Sequence, residues 1–275
     1  MHRLACLLAG LAGFLSALPA QTPAPAPATA PAKIQTLLIT GQNRHDWRAV
    51  SPQLRKLLED TGRFGVRITE EFRGAGDDTL ARYDLIVLNY ENKNLPEWRW
   101  GAQAEKALVD YVKAKGKGLV IYHFSLAAFD GWPEFEQLSG GNWRPNNGHH
   151  SARHDFTLKL TDSSHPITRG LPAEMIVKND ELYANLRWQP KENYRILATA
   201  YDDHALYQGK ARQPIPGAGL DQPMLWVHEP GKGRVFVNAL GHDLAAIANP
   251  AFIATFLRGA EWAATGAVTL APPAN

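Results

Sequence analysis

The chain has 275 residues, of which 45% are hydrophobic and 20% charged, with a formal net charge of +2. This is the balance of a soluble globular protein, and so small a charge, with no basic run, argues against nucleic acid as a partner. The length allows one sizeable domain or two small ones.

Residues 1–20 start basic, at Arg3, and continue as the apolar stretch "LACLLAGLAGFLSAL". A short apolar core behind a basic start and closed by a small residue is the pattern of a secretory signal, too short for a membrane span. The expectation is a periplasmic or secreted protein with no stable membrane insertion after cleavage. Cys6, the one cysteine, leaves with that segment, so the mature chain has no thiol. Residues 21–33 form an Ala/Pro spacer that should be extended. The folded domain is placed at 34–268, with 269–275 as a C-terminal tail.

"KIQTLLITG" reads as a strand ending in a glycine turn, and "AVSPQLRKLLEDTG" as a helix with Pro52 early and Gly62 at its end. "FGVRITEEF" and "YDLIVLNYEN" read as strands. "AQAEKALVDYVKAKGKG" is a helix with Ala104, Ala107, Leu108, Tyr111 and Val112 on one face. "GLVIY", Gly118 to Tyr122, is apolar throughout, as a strand buried on both faces of a parallel sheet must be. In the second half "HDFTLKL" alternates, "PMLWVHEPGKGRVFVNAL" gives two strands around a Gly-Lys-Gly turn, and "PAFIATFLRGAEWAATG" closes as a helix. The order predicts an α/β fold: a doubly wound, mostly parallel sheet with added β strands in the second half. The segment from Phe124 to Arg153 reads as one long loop, and long loops inside compact domains tend to be functional.

Open α/β sheets place ligands at the carboxyl ends of their strands. Asn43 to Trp47 follows the first strand, where Asp46 could cap the next helix and His45 could face solvent or a ligand. Glu91 follows the third strand and could orient a histidine, bind a hydroxyl or stay on the surface. His123 follows the fourth, and His242 follows "GRVFVNAL", with Asp243 a candidate helix cap. Adjacent residues in extended chain point opposite ways, so one of His149 and His150 should face inward, and one of Asp180 and Glu181 should face the site and the other water. His165, in a turn before proline, suits a structural hydrogen bond. No glycine-rich phosphate loop or serine elbow is present.

"GKGLVIYHFS", "WPEF", "DSSHPITRGLP", "DELY" and "GKGRVFVNALGHDL" followed by "RGAEWA" together resemble the ThuA-like (trehalose utilisation) family over roughly 36–265. The resemblance implies a class I glutamine amidotransferase-like, flavodoxin-like fold. It excludes that fold's thiol chemistry here, since Tyr122-His123-Phe124 occupies the elbow that carries cysteine in the amidotransferases. It matches His45, His123, His150, Glu181 and His242 to family positions, with Ser125 displaced by Phe124 from its usual place after the histidine.

On that basis His123, Glu181 and His242 are the expected catalytic residues, and His45, Glu91, Trp132 and His150 the expected substrate-binding ones. His45, His123 and His150 are candidate ligands of a divalent metal, the one cofactor considered. The implied partner is a small carbohydrate, a keto-sugar or glycoside open to isomerisation, elimination or hydrolysis by His/Glu acid–base chemistry. The rival is a non-catalytic sugar-binding module in which Trp98, Trp100, Trp132 and Trp143 stack on the sugar. His123 should lie past the last core residue of its strand, so that its removal costs about 1 kcal/mol or less.

Overall fold

A computed structural model describes residues 32–190, 194–209 and 214–272. The expected signal and residues 21–31 of the spacer lie outside them. In the first half the apolar runs become β1 (Ile34–Ile39), β2 (Phe64–Thr69), β3 (Leu85–Leu88) and β4 (Gly118–Tyr122), separated by α1 (Trp47–Asp60), α2 (Asp77–Leu80) and α3 (Ala102–Lys113). The segment expected as one loop is instead built. It holds a 3-10 turn (His123–Ala127), α4 (Pro133–Ser139), β5 (Gly141–Asn142) and β6 (His149–His150).

Next come β7 (His154–Leu160), β8 (Glu174–Asp180), β9 (Tyr183–Ala184), β10 (Arg187–Trp188) and β11 (Arg195–Tyr201). The hairpin β12 (Asp221–His228) and β13 (Arg234–Asn238) follows, then α5 (Leu244–Ile247) and α6 (Pro250–Thr265).

Nine strands form one sheet in the order β2-β1-β3-β4-β13-β12-β11-β7-β8. The first five are parallel, in the 2-1-3-4-5 order of flavodoxin-like sheets. The remaining four are antiparallel additions from the second half, as expected. Every residue of β3 and β4 is buried, which explains why neither shows polar alternation. Helix α6 lies close over this region: a Cβ at Gly259 would fall 2.1 Å from the Phe236 ring, and one at Gly118 would fall 2.5 Å from the Ala263 carbonyl oxygen. Only glycine admits that approach.

Past residue 268, Thr269 and Leu270 donate backbone N–H to the Glu261 carboxylate at 2.7 and 3.0 Å. No helix among the described residues is long and apolar enough to cross a membrane.

Candidate active site

The loop after β1 is tied to the loop after β3. Glu91, fully buried, accepts from the backbone N–H of Arg44 at 3.3 Å and from that of Lys93. Burial raises its pKa, partly offset by those N–H groups and by Arg44 and Lys93. Glu91 therefore shapes the loop that carries His45, which is a different use from the expected contact with substrate. Asn43 completes the support. Its amide donates to Asn89 Oδ1 at 3.0 Å, and its Oδ1 lies 3.2 Å from His45 Nδ1. A carbonyl oxygen only accepts, so His45 Nδ1 carries the proton and Nε2 presents its lone pair. Asp46 caps α1 by accepting from Ala49 N–H at 3.1 Å. It thus fixes His45 just outside the helix.

His123 opens the 3-10 turn at the carboxyl end of β4, with φ of 45°, in the left-handed region. A non-glycine residue rarely occupies that region, and there it is held by its surroundings. The ring is 1% exposed. Its Nδ1 donates to Ala239 O at 2.8 Å, and Tyr183 Oη lies 2.9 Å from its Nε2. The expectation that His123 lies beyond the packed core is corrected. Ser125, two residues on, is also internal: it donates to Leu88 O at 2.9 Å and accepts from Tyr90 N–H at 3.0 Å, stitching the ends of β3 and β4.

Edge strand β8 returns Asp180 and Glu181 to the ends of the parallel strands. The expectation that one of the pair faces water is corrected, because Asp180 is fully buried. Its carboxylate accepts from the backbone N–H of Gly241 at 2.7 Å, His242 at 3.0 Å and Glu181 at 2.8 Å. Three N–H donors satisfy it, and in doing so it fixes the positions of both neighbouring site residues. Gly241, at φ of 101°, leaves no room for a Cβ, which would fall 2.7 Å from the Phe252 ring. Asp243 caps α5 by accepting from Ala246 N–H at 2.9 Å, as expected.

These elements converge on Glu181. Its Oε2 lies 3.1 Å from His242 Nδ1, 3.6 Å from His123 Nε2 and 3.7 Å from His45 Nε2. One ligand atom from each of the four residues lies within 4.8 Å of all the others. Metal bonds of about 2.0–2.2 Å put ligand atoms about 3–4.4 Å apart, so the cluster is near the spacing of a bound cation. His242 Nδ1 supplies a further sign. It is buried and makes no hydrogen bond of acceptable geometry among the described residues, although Glu181 Oε2 is near. Buried ring nitrogens seldom stay unpaired, and one facing two imidazoles and a carboxylate suits a cation.

The electrostatics agree. Burial opposes the charge on Glu181, yet the imidazoles of His123, His242 and His45 together hold its pKa far below the usual carboxylate range. Burial lowers His45 to about 4, with His123 and His242 adding to the effect. The Glu181 carboxylate raises His242. The site is thus a fixed anion ringed by imidazoles, of which His45 is neutral.

His150 stands outside the group of four. Its Nδ1 is 3.3 Å from Glu181 Oε1 and 2.7 Å from Ser151 O, to which it donates, and its side chain is 42% exposed. The expected metal set of His45, His123 and His150 therefore changes: Glu181 and His242 join the first two, and His150 lies at the rim. His149 points away, with Nε2 3.4 Å from the buried Asp202, as alternation along β6 requires. Trp132 does not reach the site. It is 6% exposed and packs on Phe129, Phe135 and the Arg99 guanidinium, which corrects its expected substrate contact. Trp100 is likewise core, against Phe72, Tyr90 and Phe129. Of the four tryptophans of the rival reading, Trp143 alone lines the site's cavity of about 450 Å³, together with Lys93, Phe124, His150 and Tyr183.

Tyr183 was not singled out, although it is the last residue of "DELY", and Asp180 and Asn43 lie in stretches already read as site elements but in supporting roles that were not anticipated. His165 is structural as expected: it is buried, its Nδ1 accepts from Ile167 N–H at 3.3 Å, and its ring meets Trp262.

The ThuA family profile, described as trehalose utilisation, matches residues 35–263. A ThuA-like protein from Parabacteroides merdae is similar at 31% identity and a TM-score of 0.74, over 88% of this chain and 94% of that one. A ThuA-like protein from Bacteroides uniformis is similar at 18% identity and a TM-score of 0.65, over 89% and 97%. A cytoplasmic protein of Salmonella typhimurium shares the fold at 17% identity and a TM-score of 0.54, over 82% and 97%. No curated protein matches the sequence.

Proposed function

The chain belongs to the ThuA family, and from that premise we propose that it is a carbohydrate-active enzyme whose His45, His123, Glu181 and His242 hold a divalent cation. The observation that carries the reading is the convergence of three imidazoles and one carboxylate at the carboxyl ends of β1, β4 and β13. The family's description, trehalose utilisation, directs the site toward sugars. A cation bound there would act as a Lewis acid, stabilising negative charge that develops on a sugar oxygen.

The remaining chemistry belongs to the side chains. Glu181 is a poor base, since its carboxylate is stabilised by the imidazoles around it. It serves as ligand and charge balance. His150 is the better acid–base group. Its Nδ1 is committed to Ser151 O, which leaves Nε2 free to exchange a proton at the rim of the cavity. Lys93, beside Trp143 and Phe124, supplies a second donor to a sugar hydroxyl or carbonyl. With a keto-sugar, His150 would take the proton next to the carbonyl while the neighbouring oxygen is held as an enediolate. Isomerisation, or elimination of a glycosidic leaving group, follows from that same first step.

The rival binding module rests on stacked tryptophans, and Trp100 and Trp132 are core residues. The test is metal analysis of the purified protein, with incubation of the loaded protein on glucosides and their 3-keto derivatives. Stoichiometric metal and turnover of a keto-glycoside are expected. A metal-free protein that binds sugar without converting it would overturn the proposal. Export belongs to the same reading, on the signal-like first twenty residues. Exported protein should begin near Gln21 by mass spectrometry, and an intact Met1 would count against it.

A further inference from the structure

Tyr183 stands beside the cluster with a single hydrogen-bond partner. Its hydroxyl lies 2.9 Å from His123 Nε2 and meets no other partner among the described residues. Nδ1 of that ring faces the Ala239 carbonyl, which only accepts, so neutral His123 keeps its one lone pair on Nε2. The same Nε2 lies 3.6 Å from Glu181 Oε2 and is the atom this ring can offer to a cation at the cluster. One lone pair cannot serve both. We propose that Tyr183 is a catalytic residue: its hydroxyl, released from His123 when Nε2 binds a cation, donates to the substrate oxygen on which negative charge gathers. This rests on the metal and keto-sugar reading above and deepens it.

The placement of the ring supports that role. Strand β9 pairs with β6 so that Tyr183 stands directly opposite His150. Directly opposed residues of an antiparallel pair project to the same face, and the two rings, 6.3 Å apart, line the same cavity. His150 is at the rim, and Tyr183, 1% exposed, lies deeper. Proton removal next to a carbonyl needs such a pair: one group takes the proton, and the other steadies the oxygen that becomes negative. A donor of this kind is worth most where it is already aimed. Phe124 and Trp143 meet the Tyr183 ring edge-on, and the His123 ring lies 4.5 Å from it. The oxygen therefore stays in place, and only the hydroxyl hydrogen has to turn.

Tyr122 shows the other use of a buried tyrosine. Its hydroxyl donates to the Gly241 carbonyl, a backbone acceptor already engaged within the fold. That hydroxyl is a fixed strut. Tyr183 differs in two ways: its partner is an imidazole nitrogen of the cluster, and its side chain belongs to the cavity wall.

The experiment compares the full-length protein with Tyr183→Phe, which keeps the ring. Zinc affinity of the metal-free proteins is measured by calorimetry. It should rise about fivefold in the variant, the scale of one hydrogen bond that no longer has to break. Affinity of the zinc-loaded proteins for acetohydroxamate, an anion of enediolate shape, is then measured with no free metal present. It should fall about tenfold, and turnover of a keto-glycoside by about a hundredfold, the scale of one oxyanion donor. The opposite signs are the signature, since a residue that only packed the site would weaken both kinds of binding or move neither. A variant that binds zinc no tighter than the wild type, or that keeps its affinity for acetohydroxamate, would overturn the inference and leave the metal reading standing. A wild type that binds no zinc would defeat the metal reading, and this inference with it. If Tyr183→Phe does not fold, a crystal structure of the zinc-loaded wild type decides. His123 Nε2 should be bonded to the metal. Zinc held by His45, Glu181 and His242 alone, with His123 still on the Tyr183 hydroxyl, would remove the proposal.

Discussion

Two groups of histidines stand at opposite ends of the same sheet. At the carboxyl ends of the parallel strands, His45, His123 and His242 share one carboxylate. At the other end, where His228 pairs with Val235 at the start of β13, His228 and His165 line a cavity of about 530 Å³. That cavity is the larger of the two, yet its chemistry is sparse. Burial lowers both of its imidazoles to about 4, and so does nearby positive charge, from Arg195 on His165 and from Lys113 on His228. Each is a neutral ring held on its own. The first group is different because a fixed anion organises it and because its ring nitrogens are aimed by Asn43 and the Ala239 carbonyl. Volume alone would choose the wrong end of the molecule, and the arrangement of donors chooses the other.

The sharpest way to break that contrast is Glu181→Gln, which keeps the shape and removes the charge. Bound metal should drop to background and turnover should fall by at least about a hundredfold, the scale of losing a positioned charged group. His228→Asn should change neither. Thermal melts give an independent reading. Zinc at a hundred times its dissociation constant should stabilise the wild type by about 2.7 kcal/mol, and should leave Glu181→Gln unmoved. If Glu181→Gln binds metal as the wild type does, the carboxylate is not what separates the two groups.

His123→Ala measures how far the cluster is also part of the core. Removal strands the Tyr183 hydroxyl and the Ala239 carbonyl in a site 1% exposed. Unpaired buried groups cost about 1–3 kcal/mol each, so a loss of about 2 kcal/mol or more is expected, above the sequence-based figure. Urea unfolding of the metal-free protein checks it. A loss under about 0.5 kcal/mol would mean that this ring is as dispensable to the fold as a surface one.

Much of this site is legible in the amino-acid sequence. Gly118 to Tyr122 can only be a doubly buried strand, and the polar groups after successive strands must gather at one edge, which brings His45, His123 and His242 together. Residues whose role depends on distant parts of the chain are not legible. Asp180 looks like half of an alternating pair, but its direction is set by the N–H groups of Gly241 and His242, some sixty residues away. Trp132 looks like a sugar platform because a tryptophan's exposure is decided by what packs on it, here Phe129 and Phe135. Strand β8 gave no strand pattern either: at the sheet's edge only Val177 and Asp180 of its residues are buried, so no clean apolar alternation is needed.

The smallest effect belongs to the second group and concerns pH. His165 is lowered from 6.5 to about 4 in the folded protein, by burial first and then by Arg195, with Asp162 opposing. An unfolded chain takes up that proton as pH falls through about 6.5, while the folded one resists until about 4. The unfolded state therefore binds more protons in this window, and stability declines as pH falls across it. His165→Asn keeps an acceptor for the Ile167 N–H but cannot be protonated. Relative to wild type, it should recover about 1 kcal/mol between pH 6.5 and pH 4, a figure discounted for the ring's partial contact with solvent. That corresponds to about 2–4 °C in Tm for a domain of this size. The comparison is made by melting both proteins with chelator present, so that His45 and His242 contribute equally to each curve and cancel in the difference. Parallel curves for the two proteins would show that His165 is protonated as readily folded as unfolded, and the neutral character assigned to this end of the sheet would fall with it.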